Sequence, residues 1–136
     1  MREKFYRQEI VLRKTIVSSS ILTTKIDLTL PASGELELLN IILKTDGTGL
    51  AAGTNIEIES NNANGLADIM VETVANLGAN KTVNLADASV TAVETVLETG
   101  KKLTIKSTAA ACTGAGVLTV YLVFKRMESG ANILAA

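Results

Sequence analysis

Hydrophobic and polar positions alternate along much of the chain. In "ILTTKIDLTL" (21–30), Leu22, Thr24, Ile26, Leu28 and Leu30 fall on one side and Ile21, Thr23, Lys25, Asp27 and Thr29 on the other. That is the period of a strand with one buried face. "PASG" then turns the chain. Residues 35–44, "ELELLNIILK", begin with Leu36 and Leu38 on one face and change phase to Leu39, Ile41 and Leu43, which predicts a β-bulge near Leu38–Asn40. "TNIEIES" (54–60) alternates again, Ile56 and Ile58 inward and Glu57 and Glu59 outward. Asn64-Gly65 in the "NNANG" that follows suits a turn with positive φ. "EIVLRKTIV" (9–17) reads as a strand, and "GVLTVYLVFKR" (116–126) is apolar on both faces as far as Lys125 and Arg126. A strand covered on both sides lies centrally in a sheet or at a subunit contact.

One element occurs twice. "VETVANLGANKTVNL" (71–85) and "VETVLETGKKLTIKS" (93–107) both open on Val-Glu-Thr-Val, carry a glycine at the eighth place (Gly78, Gly100), and match again at Thr82 and Thr104. Leu66, Ile69, Met70, Thr73, Val74 and Leu77 fall at helical spacing, as do Val90, Val93 and Leu97. Yet three of the four residues in Val-Glu-Thr-Val are β-branched, which favours a strand. Strand, glycine turn and strand make a hairpin, so each copy is expected to be a hairpin of an antiparallel sheet. A helix in one copy is the alternative. The whole pattern predicts an all-β, antiparallel β-sandwich of seven to nine short strands.

Composition narrows this further. The 136 residues suit a single domain over 1–136, with an N-terminal arm at about 1–8 and a C-terminal tail at about 127–136. With 47% hydrophobic residues, 3% aromatics and no Trp, the core must be built from branched aliphatics, which pack well between pleated layers. The single cysteine, Cys112, excludes an internal disulfide, and without histidine it has no imidazole partner for zinc or for activation as a nucleophile. It reads as a small filler. No apolar run has the length of a membrane span, and "MREKFYRQEIVLRK" lacks the apolar region of a secretory signal, so synthesis in a cytoplasm without secretion is expected.

The net charge of −1 hides an asymmetry. Residues 1–26 carry six Lys/Arg against two Glu, residues 99–136 five against one, and residues 27–98 eleven Asp/Glu against Lys44 and Lys81. Basic ends and an acidic middle bear on association rather than on fold. They also bear on chemistry. Without histidine, the commonest general base is missing. The paired carboxylates Glu35/Glu37 and Glu57/Glu59 sit on polar strand faces, as edge charges do. No enzymatic activity and no cofactor are expected. "DGTGLAAG" (46–53) has the spaced glycines of a dinucleotide-binding turn but is followed by a strand where that motif needs a helix. It is expected to be a long hairpin loop. Asp46, Asn55 and Glu57 lack the dense spacing of a calcium loop, and no metal site is expected.

Self-association remains. Arg2, Lys4, Phe5, Tyr6 and Arg7 form a basic arm with two aromatics, and "MESGANILAA" carries Ile133 and Leu134 at an apolar tip. The tip could fold back on its own sheet or dock on a neighbouring subunit. The acidic middle argues against a broad nucleic-acid surface. Arm and tail are the expected intersubunit contacts, with the acidic body as the arm's counterpart.

The stretches "LKTDGTGLAAGTNIEIES" and "VLETGKKLTIKST", followed by "TGAGVLTVYLVFKR", resemble virion-associated β-sandwich proteins of tailed bacteriophages, capsid decoration (cement) proteins above all. The likeness spans roughly residues 35–126. It implies a jelly-roll-like sandwich, often a homotrimer, that sits on a capsid lattice in the virion and clamps the major capsid protein. No binding residue is carried over by it. A receptor- or ligand-binding module of a fibre or adhesin is the alternative function.

Overall fold

The computed structural model describes residues 9–29, 34–60, 68–88, 90–91, 96–97 and 102–126. Ten strands run through them: β1 (Glu9–Val17), β2 (Ile26–Asp27), β3 (Leu36–Thr45), β4 (Asn55–Ser60), β5 (Asp68–Thr73), β6 (Thr82–Asn84), β7 (Val90–Thr91), β8 (Val96–Leu97), β9 (Leu103–Ser107) and β10 (Val117–Arg126). Three are two residues long, which leaves seven of three residues or more.

All pairings are antiparallel and fall into two sheets. One has the order β1-β10-β3-β6, with β8 also on β3; the other has the order β2-β9-β4-β5-β7. First strand pairs with last, second with second-to-last, and β3 and β4 pair with β6 and β5. The chain is thus a long antiparallel ribbon folded into the two sheets of a β-sandwich.

The core lies between the sheets. Leu118, Val120, Leu122 and Phe124 of β10, Ile41 and Leu43 of β3, Ile56 and Ile58 of β4, and Leu103 and Ile105 of β9 are almost fully buried. Phe124 is the one aromatic among the described core residues, so branched aliphatics carry the packing as the composition requires. The alternation read from the sequence holds in β4, whose residues are buried and half-buried in turn. The bulge also holds: Val123 faces Asn40 and Phe124 faces Leu38, so Leu39 is the extra residue and stands exposed.

Three expectations are corrected. The strand over 21–30 shrinks to Ile26–Asp27, because a 3-10 turn at Ser18–Ser20 resets the chain. Ile21 is fully buried and Leu22 exposed, the reverse of the predicted faces. The repeat does not form hairpins. In its first copy β5 belongs to one sheet and β6 to the other, joined through a 3-10 turn at Val74–Leu77; the second copy crosses back from β8 to β9. Each copy is a corner between sheets. The loop at 46–53 likewise crosses from β3 to β4 in the opposite sheet and is no hairpin loop.

Candidate functional site

The strand β1 combines a strand-forming sequence with very little burial. Seven of its nine residues are exposed. Its register with β10 runs unbroken from Glu9↔Lys125 to Val17↔Val117. Since Leu118, Val120, Leu122 and Phe124 face the core, their partners Ile16, Lys14, Leu12 and Ile10 lie on the inner side of the sheet. Val11, Arg13, Thr15 and Val17 therefore face outward.

The outer row continues across the sheet. Val11 lies beside Val123, Arg13 beside Tyr121, which has Ile42 on its other side, and Val17 beside Val117. These β10 residues and Ile42 are half-buried, with no further layer above them among the described residues. The expected central place of β10, between β1 and β3, is observed. Tyr121, however, sits on the outer face and Phe124 on the inner one.

On the inner side, β1 outruns its cover. The strand at the same edge of the facing sheet, β2, is only two residues long. A groove of about 620 Å³ opens there, lined by Leu12, Arg13, Lys14, Thr15, Asp27, Leu28, Thr29 and Lys102. Lys102 Nζ holds Asp27 Oδ2 at 2.8 Å, and Thr29 Oγ1 accepts the Leu103 amide at 3.0 Å, so the floor is locally satisfied. Arg13 and Lys14 have no ion-pair partner among the described residues. Elsewhere the cations Lys25, Lys106 and Lys125 are matched to Glu59, Glu57 and Glu37, while Lys44, Lys81 and Arg126 are likewise without an ion pair among the described residues. Leu12 remains 37% exposed and Val11 57%, so β1 offers water apolar surface on both faces and, on the side away from β10, a free backbone edge among the described residues.

The residues singled out in the sequence for contact, Arg2, Lys4, Phe5, Tyr6, Arg7, Ile133 and Leu134, lie outside the described residues. What the structure adds is where their segments join the sheet. Glu9 pairs with Lys125, so the arm enters and the tail departs at one corner, at the start of β1. The groove was missed because its cause, the shortness of β2, lies in a different stretch of chain.

The described loops at the far end are tied together by their own hydrogen bonds. Asp46 Oδ1 accepts the amides of Thr48 (3.0 Å) and Gly49 (2.9 Å). The bond from Gly49, then those from Val117 and Thr48, holds the Asp46 carboxyl below the ordinary carboxylate range. Glu57 on β4 pairs with Lys106 on β9, and among the described residues no cluster of carboxylates is placed to hold a metal ion. Cys112 is buried, its Sγ 3.7 Å from Ser107 Oγ, and burial raises its thiol pKa.

No family model matches the chain, and no curated protein does. Among solved structures it is similar to a chain of the cyanophage Pam1 capsid asymmetric unit, with a TM-score of 0.57 and 18% identity over 90% of this chain and 88% of that one. It is also similar to a chain of the capsid of Ralstonia phage GP4, with a TM-score of 0.54 and 15% identity over 92% and 87%. At these identities the likeness is one of fold, and at that level the resemblance to phage virion β-sandwiches drawn from the sequence is met.

Proposed function

We propose that the chain is a structural protein of a phage virion, one that decorates and stabilises a capsid by associating with itself and with the major capsid protein. The observation that carries this reading is β1: nine residues rich in Ile, Val and Leu, exposed on both faces and along one edge, in a fold shared with two phage capsid chains. A strand of that composition is stable in water chiefly when something covers it. The basic arm and the apolar tail, which join the sheet at the start of β1, supply further contacts through Arg2, Lys4, Phe5, Tyr6, Arg7, Ile133 and Leu134. A homotrimer is the assembly proposed, and the virion its location. The role is architectural and involves no catalysis, cofactor or metal.

The fibre or adhesin reading ranks second. It would place a receptor site in the loops at one end of the sandwich, and the loops described there spend their polar groups on one another.

Two measurements test the proposal. Sedimentation equilibrium across a range of salt should give a closed oligomer that loosens as salt rises, because the arm is basic and the middle of the chain acidic. A monomer at every concentration would remove self-association. Mass spectrometry of gradient-purified particles from the phage or prophage that encodes the chain should find it in stoichiometric amounts. Its absence from intact particles would overturn the virion reading.

A further inference from the structure

We infer that β1 is an acceptor edge: an extended, acidic segment of a partner protein adds beside it as a further strand of the sheet. The inference deepens the structural reading by naming the kind of segment a virion partner offers.

The backbone supplies the first argument. Edge strands in folded proteins are usually short, bulged or covered, because a free edge templates pairing. Here the edge is nine residues long and its register with β10 is unbroken. The groove supplies the second. In an added strand, alternate side chains point to opposite faces of the sheet. One set would lie on the outer face beside Val11 and Val17, and the other would enter the opening of about 620 Å³ next to Leu12 and Leu28. Both faces thus have apolar surface to cover.

Charge selects the occupant. Arg13 faces outward and Lys14 inward, at the middle of the strand, and neither has an ion-pair partner among the described residues. A second copy of β1 is a poor occupant. Any antiparallel register that pairs the strand's middle with itself brings Arg13 or Lys14 of one copy beside Arg13 or Lys14 of the other, and like charges across a sheet repel. An incoming strand with carboxylates on both faces meets both cations at once. Strand addition of this kind takes its affinity from the backbone ladder and its specificity from alternate side chains.

The competing explanation is that Arg13 and Lys14 merely guard the edge against aggregation. A titration separates the two. The probe is a fluorescent peptide of alternating glutamate and valine, followed by anisotropy, with a lysine–valine peptide and an N-methylated glutamate–valine peptide as controls. The wild-type chain should bind the first saturably and each control at least about tenfold more weakly. R13E/K14E, checked for native folding by circular dichroism, should reverse the preference towards the lysine–valine peptide. No saturable binding to the wild-type chain, or binding that R13E/K14E leaves unchanged, would overturn the inference. So would self-association of R13T/K14T together with a wild-type chain that ignores the peptide, since that is the guarding role alone. Failure here leaves the particle composition untouched, and the virion reading stands or falls on that separately.

Discussion

Strand β1 and the loops that follow it are opposite kinds of structure. Past Val17 the chain enters a knot of loops in which nearly every polar group has a partner. Ser18 N donates to Gly116 O (2.7 Å), Asp46 N to Val117 O (3.1 Å), Leu50 N to Leu77 O (2.9 Å) and Thr113 N to Ala51 O (2.8 Å). Thr45 Oγ1 donates to the Gly78 carbonyl and accepts the Lys81 amide. Gly49 and Gly116 approach so closely that a Cβ on Gly116 would overlap the Gly49 carbonyl. Along β1 itself the reverse holds: among the described residues it has a free edge, exposed apolar side chains on both faces and two cations without ion pairs. Polar groups in the knot are consumed inside the molecule and act on stability. Those of β1 are left over, and so they are available to something else.

The comparison breaks most sharply at Gly116. Gly116→Ala forces Cβ into backbone that cannot step aside, and about 3 kcal/mol of stability should be lost, read from the urea midpoint. A neutral result would mean that the knot is loose. Ser18→Ala comes next. Its hydroxyl, on a fully buried residue, donates to Thr113 O at 2.7 Å and accepts the Ala51 amide at 3.4 Å, so removing it breaks both bonds and leaves two groups on exposed residues to water. A loss of about 1 kcal/mol is expected in the same assay.

Much of this was legible in the sequence, and what was not has a common cause. Strand β4 and the bulge at Leu39 follow from local alternation, because a single buried face imposes a period of two wherever it occurs, and β1 and β10 follow from runs of β-branched and apolar residues. The repeat misled because glycine and β-branched residues specify a strand that turns, without specifying which sheet receives the next strand. Residues 21–30 misled for a related reason. Their apparent alternation is overridden by long-range bonds, from Cys112 N to Ile21 O (2.9 Å) and Ser107 N to Leu22 O (2.7 Å), which fix Ile21 inside. The candidate surface was half legible: the strand could be read, but its lack of cover depends on β2 being short.

Asp46 sharpens the contrast through pH. Its carboxylate is stabilised by loop amides, so its folded pKa lies below the ordinary value of about 3.9. The unfolded chain takes up this proton at higher pH than the folded one, and stability rises with pH through that window. The contribution is complete above the ordinary value and is lost as pH falls through the folded one. Asp46→Asn should therefore be less stable than wild type at neutral pH, with the difference shrinking in acid. Urea midpoints taken from pH 7 down to pH 2 would show it, and a gap that stays constant would deny Asp46 its role in the knot.

The smallest effect on stability is expected at β1, and it is the most informative. Val11→Thr with Leu12→Thr replaces two apolar side chains that are 57% and 37% exposed, one on each face. If neither contributes to the isolated fold, the urea midpoint should move by no more than about 0.5 kcal/mol equivalent, with the slope unchanged. Binding of the alternating glutamate–valine peptide should nonetheless weaken if this surface is where a partner's strand adds. A large loss of stability would show that β1 is already spent within the chain, and the distinction between the two regions would vanish. Unchanged stability with unchanged binding would keep the distinction and move the contacts to the arm and tail.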